Sequence, residues 1–124
     1  MLTKQQIFDK VAAHLLAQGA RAYGVDGCVY RAADGKKCAV GCIIEDEHYS
    51  PDFEGVAIAW VNSTLDVGGS AKLRAALGAS GVCVDEQHKL LLDLQRLHDN
   101  GDVDLWEAGL RVIASKHELE YNHA

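Results

Sequence analysis

At 124 residues the chain is long enough to build one hydrophobic core without disulfide or metal support, and an apolar share of 48% beside 24% charged residues excludes wholesale disorder. A net charge of −6 argues against direct nucleic-acid binding, which depends on clustered Lys and Arg. No apolar run approaches the roughly 20 residues of a membrane-spanning helix, and Thr3-Lys4-Gln5-Gln6 is no secretory start, so a cytoplasmic protein with no membrane partner and reduced cysteines is expected.

Thr3 with Gln6 three residues on is a capping-box pattern, and Ile7, Phe8, Val11 and Leu15 recur at helical spacing until Gly19, so a helix opens the chain. Residues 20 to 27 read as a loop. A β-hairpin near residues 28–44 is expected next: Cys28-Val29-Tyr30-Arg31 is rich in strand formers, Asp34-Gly35 suits a type I′ turn with positive φ at both residues, and Cys38 to Ile44 would be the return strand. With that turn, Arg31 lies opposite Cys38, and Gly41 marks a place where the return strand bends or becomes helical.

Ser50-Pro51 looks like a helix start. The stretch Val56 to Leu65 is apolar on every side and reads as helix in preference to strand, and a short helix follows from Gly68-Gly69-Ser70 to Leu77. Asp85 is expected to cap a stronger helix with Leu90, Leu91, Leu94 and Leu97 on one face, ending at Asn100-Gly101. Asp104 with Glu107 suggests a last helix, whose short connection to the previous one favours an antiparallel pair. A frayed tail after Leu119 would follow. The expected fold is therefore α+β: a mostly helical single domain over 1–124, with a small hairpin and a C-terminal antiparallel helix pair.

Three constellations could carry chemistry. Cys28, Cys38, Cys42 and Cys83 could in principle enclose zinc, but only Cys38 and Cys42 have a ligand-like spacing, so packing as small apolar residues is the expected role and no metal or other cofactor is called for. Cys38 or Cys42 could act as a thiol nucleophile served by His98, with Asp99 or Asp93 orienting the ring, although His98 falls within the apolar stripe of its helix. Asp99, Asn100, Asp102 and Asp104 resemble a calcium loop only loosely, since Leu110 stands where a closing carboxylate would be wanted, and helix capping accounts for them. Tyr49, Asp52, Phe53 and Glu54 form the expected exposed binding patch, at a loop and helix start carrying aromatic and acidic residues.

Cys28-Val29-Tyr30-Arg31, Asp34-Gly35-Lys36-Lys37-Cys38-Ala39-Val40-Gly41-Cys42-Ile43-Ile44, Tyr49, Glu54-Gly55 and Leu94-Gln95-Arg96-Leu97-His98-Asp99 together resemble a group of small uncharacterised proteins encoded by bacteriophages and prophages. The likeness covers about two thirds of the chain. It departs at Ile43-Ile44-Glu45-Asp46, where those proteins commonly read Leu-Ile-Pro-Asp. The resemblance implies an accessory protein made in a bacterial cytosol and brings no catalytic residues with it. The expected function is non-enzymatic binding of a host or viral protein, defence machinery included, with a thiol-dependent enzyme as the alternative.

Overall fold

Thr3 starts the first helix, α1 (Lys4–Gln18), through a reciprocal cap: its hydroxyl accepts from the Gln6 amide at 3.1 Å and its own amide donates to the Gln6 side chain at 2.9 Å. Gly19 closes the helix in the left-handed conformation, φ 63°, and Ile7, Phe8, Val11, Ala12 and Leu15 form its buried face. The computed structural model describes residues 1–24, 27–62 and 69–123, and helical turns dominate them.

The sheet lies earlier than the sequence suggests. Strands β1 (Tyr23–Gly24) and β2 (Gly27–Cys28) pair antiparallel, Tyr23 opposite Cys28, so that of the expected strand from Cys28 to Arg31 only Cys28 belongs to the sheet and its partner lies in the segment expected to be a loop. Of the hairpin expected near residues 28–44, a single antiparallel bridge remains, and it joins Arg31 to Lys37 rather than to Cys38. Gly35 has φ 92°, but Asp34 does not take a positive φ, so the turn is not type I′; the Asp34 carboxylate instead accepts from the Lys36 amide at 3.0 Å.

The expected return strand is a helix, α2 (Ala39–Ile43). The Cys38 amide still donates to Tyr30 O at 3.0 Å, a ladder bond of the Arg31–Lys37 bridge, but the helix donors that follow find partners that a strand would not use: the Val40 amide donates to Gln95 Oε1 at 3.0 Å and the Gly41 amide to the Cys38 sulfur at 3.2 Å. Gly41 decides the packing. A Cβ there would lie 2.0 Å from Tyr30 O, so only glycine lets α2 rest directly on the backbone of residue 30.

Short 3-10 turns at Asp46–His48, Pro51–Phe53 and Ile58–Asn62 carry the chain onward; the remainder of the apolar stretch to Leu65 and the expected start at Gly68 lie outside the described residues. Helix α3 spans Ser70–Ala79 and α4 spans Val84–Asn100. The N-cap of α4 is Cys83, two residues before the expected Asp85, which sits in the first turn where its charge complements the helix dipole. A 3-10 turn over Val103–Leu105 precedes α5 (Trp106–Lys116), displacing the expected Asp104 cap; the Asp102 side chain receives the Asp104 amide instead.

Helix α5 doubles back along α4. Trp106 stacks on His98 at 5.8 Å, a Cβ at Gly109 would meet Leu97 at 2.5 Å, and Lys116 and His117 reach Asp93 at 2.9 and 2.8 Å. The tail is tied down too: Glu120 exchanges two hydrogen bonds with the Gln5 side chain, His123 meets Asp9 at 2.9 Å, and Tyr121 and His123 flank Phe8. One contiguous cluster of buried side chains links α1, α2, α3, α4 and α5. No helix among the described residues is long and apolar enough to cross a membrane.

Candidate functional site

Three segments meet around a cavity of about 330 Å³: Cys28 to Tyr30 after β2, Glu54 to Ala59, and the face of α4 bearing Leu92, Gln95, Arg96 and Asp99. Helical spacing puts these four on one side of α4. Glu54 holds the other two walls together. One of its oxygens accepts from the Tyr30 amide at 2.8 Å, and the other accepts from the Arg31 amide at 3.1 Å and the Tyr49 hydroxyl at 2.7 Å. The Tyr30 hydroxyl completes the brace by donating to the Val56 carbonyl.

Behind the cavity lies a polar cluster. His98 is fully buried, and its Nε2 accepts from the Ala22 amide at 3.1 Å. That donor fixes the tautomer: Nδ1 carries the proton and donates it to Asp99 Oδ1 at 2.7 Å. The Gln95 amide nitrogen donates to both Asp99 oxygens, at 3.0 and 3.2 Å, while its oxygen accepts from Val40. Arg21 donates to the His98 carbonyl at 2.9 Å and to the Gly101 carbonyl, closing the C-terminal end of α4 with a positive charge.

Cys28 enters this cluster. Its sulfur lies 4.0 Å from the Asp99 carbonyl oxygen, and one ligand atom each from Cys28, His98 and Asp99 fall within 4.8 Å of one another. The trio offers sulfur, nitrogen and oxygen donors of the kind zinc takes. The tautomer opposes that use, because Nδ1 would have to give up its proton while Nε2 still faces the Ala22 N–H, leaving an imidazolate. The same bonds occupy the ring as a base. Burial pushes the Cys28 thiol up, and the Asp99 charge pushes it further, the reverse of what activates a sulfur nucleophile.

The other sequence candidates are distributed around this centre. Cys38 caps α2 and is fully buried, which drives its thiol up, and its sulfur accepts from the Gly41 amide at 3.2 Å with no hydrogen bond to His98 among the described residues. Burial likewise pushes Cys42 up to about 12, and its S–H is given to the Ala39 carbonyl at 3.1 Å. Cys83 precedes α4 and Cys28 lies by its last turn, so these two stand about 24 Å apart along a helix rising 1.5 Å per residue, and the four thiols do not converge.

Of the expected binding patch, Phe53 is 3% exposed and Glu54 is committed to the brace. Tyr49 is pinned between Glu54 and the Arg31 guanidinium, 4.6 Å from its ring, and burial together with the Glu54 charge pushes its hydroxyl up to about 12. Asp52 alone of the four is exposed, 3.4 Å from Lys72. Cys28 as the sulfur beside His98, and Arg96 as a pocket residue, were not singled out by sequence reasoning. The spacing of Leu92, Gln95 or Arg96, and Asp99 carried a signal for a shared face.

No protein-family model, curated protein or solved structure matches the chain.

Proposed function

We propose that this chain is a non-catalytic accessory protein of a bacteriophage or other mobile element, acting in the bacterial cytosol by binding a host or viral protein, with defence machinery as one such target. The observation that carries the reading is the contrast at α4. The groups with chemical potential, His98, Asp99 and the Cys28 thiol, are engaged by internal bonds or held protonated, while the pocket beside them opens to solvent with Arg96 on its lining. Supporting it, most of the polar lining, including Cys28, Glu54, Gln95, Arg96 and Asp99, comes from the segments that carry the phage-protein resemblance.

The test is capture from a bacterial lysate by the immobilised chain beside its Arg96→Glu variant. A single stoichiometric partner retained by the wild type and lost by the variant is the expected result. No stoichiometric partner from host or phage-infected lysate would sink the reading.

The grouping of Cys28, His98 and Asp99 within 4.8 Å favours one other reading, a thiol-dependent enzyme with Cys28 in place of Cys38 or Cys42. It predicts selective alkylation of Cys28 near neutral pH, abolished in His98→Asn. Slow labelling that His98→Asn leaves unchanged or accelerates would exclude it.

A further inference from the structure

Arg96 differs from every other arginine in the chain. Arg21 serves the carbonyls at the end of α4, Arg31 pairs with Asp46 at 2.7 Å, Arg74 pairs with Asp85 at 2.7 Å, and Arg111 pairs with Glu107 at 3.1 Å. Among the described residues Arg96 has neither a carboxylate nor a carbonyl partner, and it lines the pocket. The two acids that share the lining do not neutralise it. Glu54 is filled by Tyr30, Arg31 and Tyr49, and Asp99, one turn along α4, is turned to Gln95 and His98.

Apart from Gln95, which is bonded to Asp99 and Val40, the rest of the lining is mostly apolar or small, with Val29, Val56, Ile58 and Leu92 as its aliphatic members and Gly55, Ala57 and Ala59 among them. A cavity of 330 Å³ is at the small end of the roughly 300–1,000 Å³ typical of ligand pockets, room for one or two residues of a peptide. A guanidinium fork above an aliphatic wall suits a group with a carboxylate and an apolar side chain on one carbon. That combination is the last residue of a protein chain. An Asp or Glu side chain lacks the apolar body, and a phosphate brings a second negative charge toward Glu54 and Asp99, which one carboxylate avoids.

We propose that this pocket holds the C-terminal residue of a partner protein, its carboxylate on Arg96 and its aliphatic side chain against Val56, Ile58 and Leu92. The assignment rests on the binding role proposed above and names the chemistry of the partner at that same pocket.

The probe is N-acetyl-glycyl-leucine, added as free acid and as amide to the ¹⁵N-labelled full chain, with acetate and inorganic phosphate alongside. The free acid should shift the amides of Cys28, Ala57, Ile58 and Arg96 and bind about tenfold more tightly than the amide, the loss of one charge-assisted fork. Arg96→Gln, with an unchanged circular dichroism spectrum, should erase the difference between acid and amide, and the free acid should slow N-ethylmaleimide labelling of Cys28 in the wild type. Equal binding of acid and amide, binding of phosphate as tight as that of the peptide, or no shifts at millimolar peptide would each overturn the assignment. A lysate partner held equally by wild type and Arg96→Gln would overturn it too while leaving the binding role standing. Selective uptake of the free acid supports it even where the lysate yields no partner.

Discussion

Two groups of side chains on α4 treat polar atoms in opposite ways. Gln95, His98 and Asp99 bond among themselves and with Ala22 and Val40, even though Gln95 and Asp99 also reach the cavity. Arg96, beside Leu92 on the same lining, is left without a protein partner among the described residues. A histidine beside an aspartate looks like machinery in a sequence, yet here both nitrogens of the ring are taken up by internal bonds, to the Ala22 amide and to Asp99. A satisfied buried network fixes how α4 meets the Ala22 segment and α2, and leaves the exposed Arg96 cation on the cavity rim outside it.

The contrast can be broken by substitution. Gly41→Ala should have the largest effect, about 3 kcal/mol or more in urea unfolding, because a Cβ 2.0 Å from Tyr30 O forces α2 off the segment that carries Cys28. Glu54→Ala should cost about 2–3 kcal/mol by the same assay, since it strips the Tyr30 and Arg31 amides and the Tyr49 hydroxyl of one acceptor group, and it should loosen the pocket wall. His98→Ala should cost about 2 kcal/mol, leaving the Ala22 amide unpaired and a void under Trp106. Arg96→Ala should change stability by less than about 0.5 kcal/mol, as should Asp52→Ala. Comparable losses for His98→Ala and Arg96→Ala would erase the distinction between the two groups.

Acid sharpens it at the far side of α4. Burial raises Asp93, but hydrogen bonds from His117 and Lys116 outweigh it and hold the carboxyl below its ordinary value. A depressed carboxylate contributes stability above the unfolded-state value, near 3.9, and that contribution disappears as pH falls through the lower folded value. Urea midpoints measured from pH 6 down to pH 2 should therefore fall more shallowly in Asp93→Asn than in the wild type.

Local rules read the helices well because their signals are local. Thr3 and Gln6 are three residues apart and make the cap they spell, and the leucines of α4 mark its buried face. The segment from Cys38 to Ile44 is too short and too uniformly apolar for periodicity to arbitrate, and what makes it a helix is remote: the carbonyl of Tyr30 against Gly41, and the side chain of Gln95 on Val40. The site had the same character. His98 and Asp99 were visible as a pair, but the partner at Nε2 is a backbone amide at Ala22, which no side-chain pattern announces. The Tyr49 to Glu54 stretch looked polar and free because nothing in the sequence shows that Glu54 is the acceptor for two amides distant along the chain.

The bonds from Arg21 and Ala22 to the end of α4 span 76 to 80 residues of sequence. Closing so long a loop is entropically slow, so α4 and α5 can form early while the wall contributed by Cys28 waits for the N-terminal third to arrive. A refolding chain in that interval would carry its C-terminal helices before the cavity had its third wall, so the pocket would close late in folding.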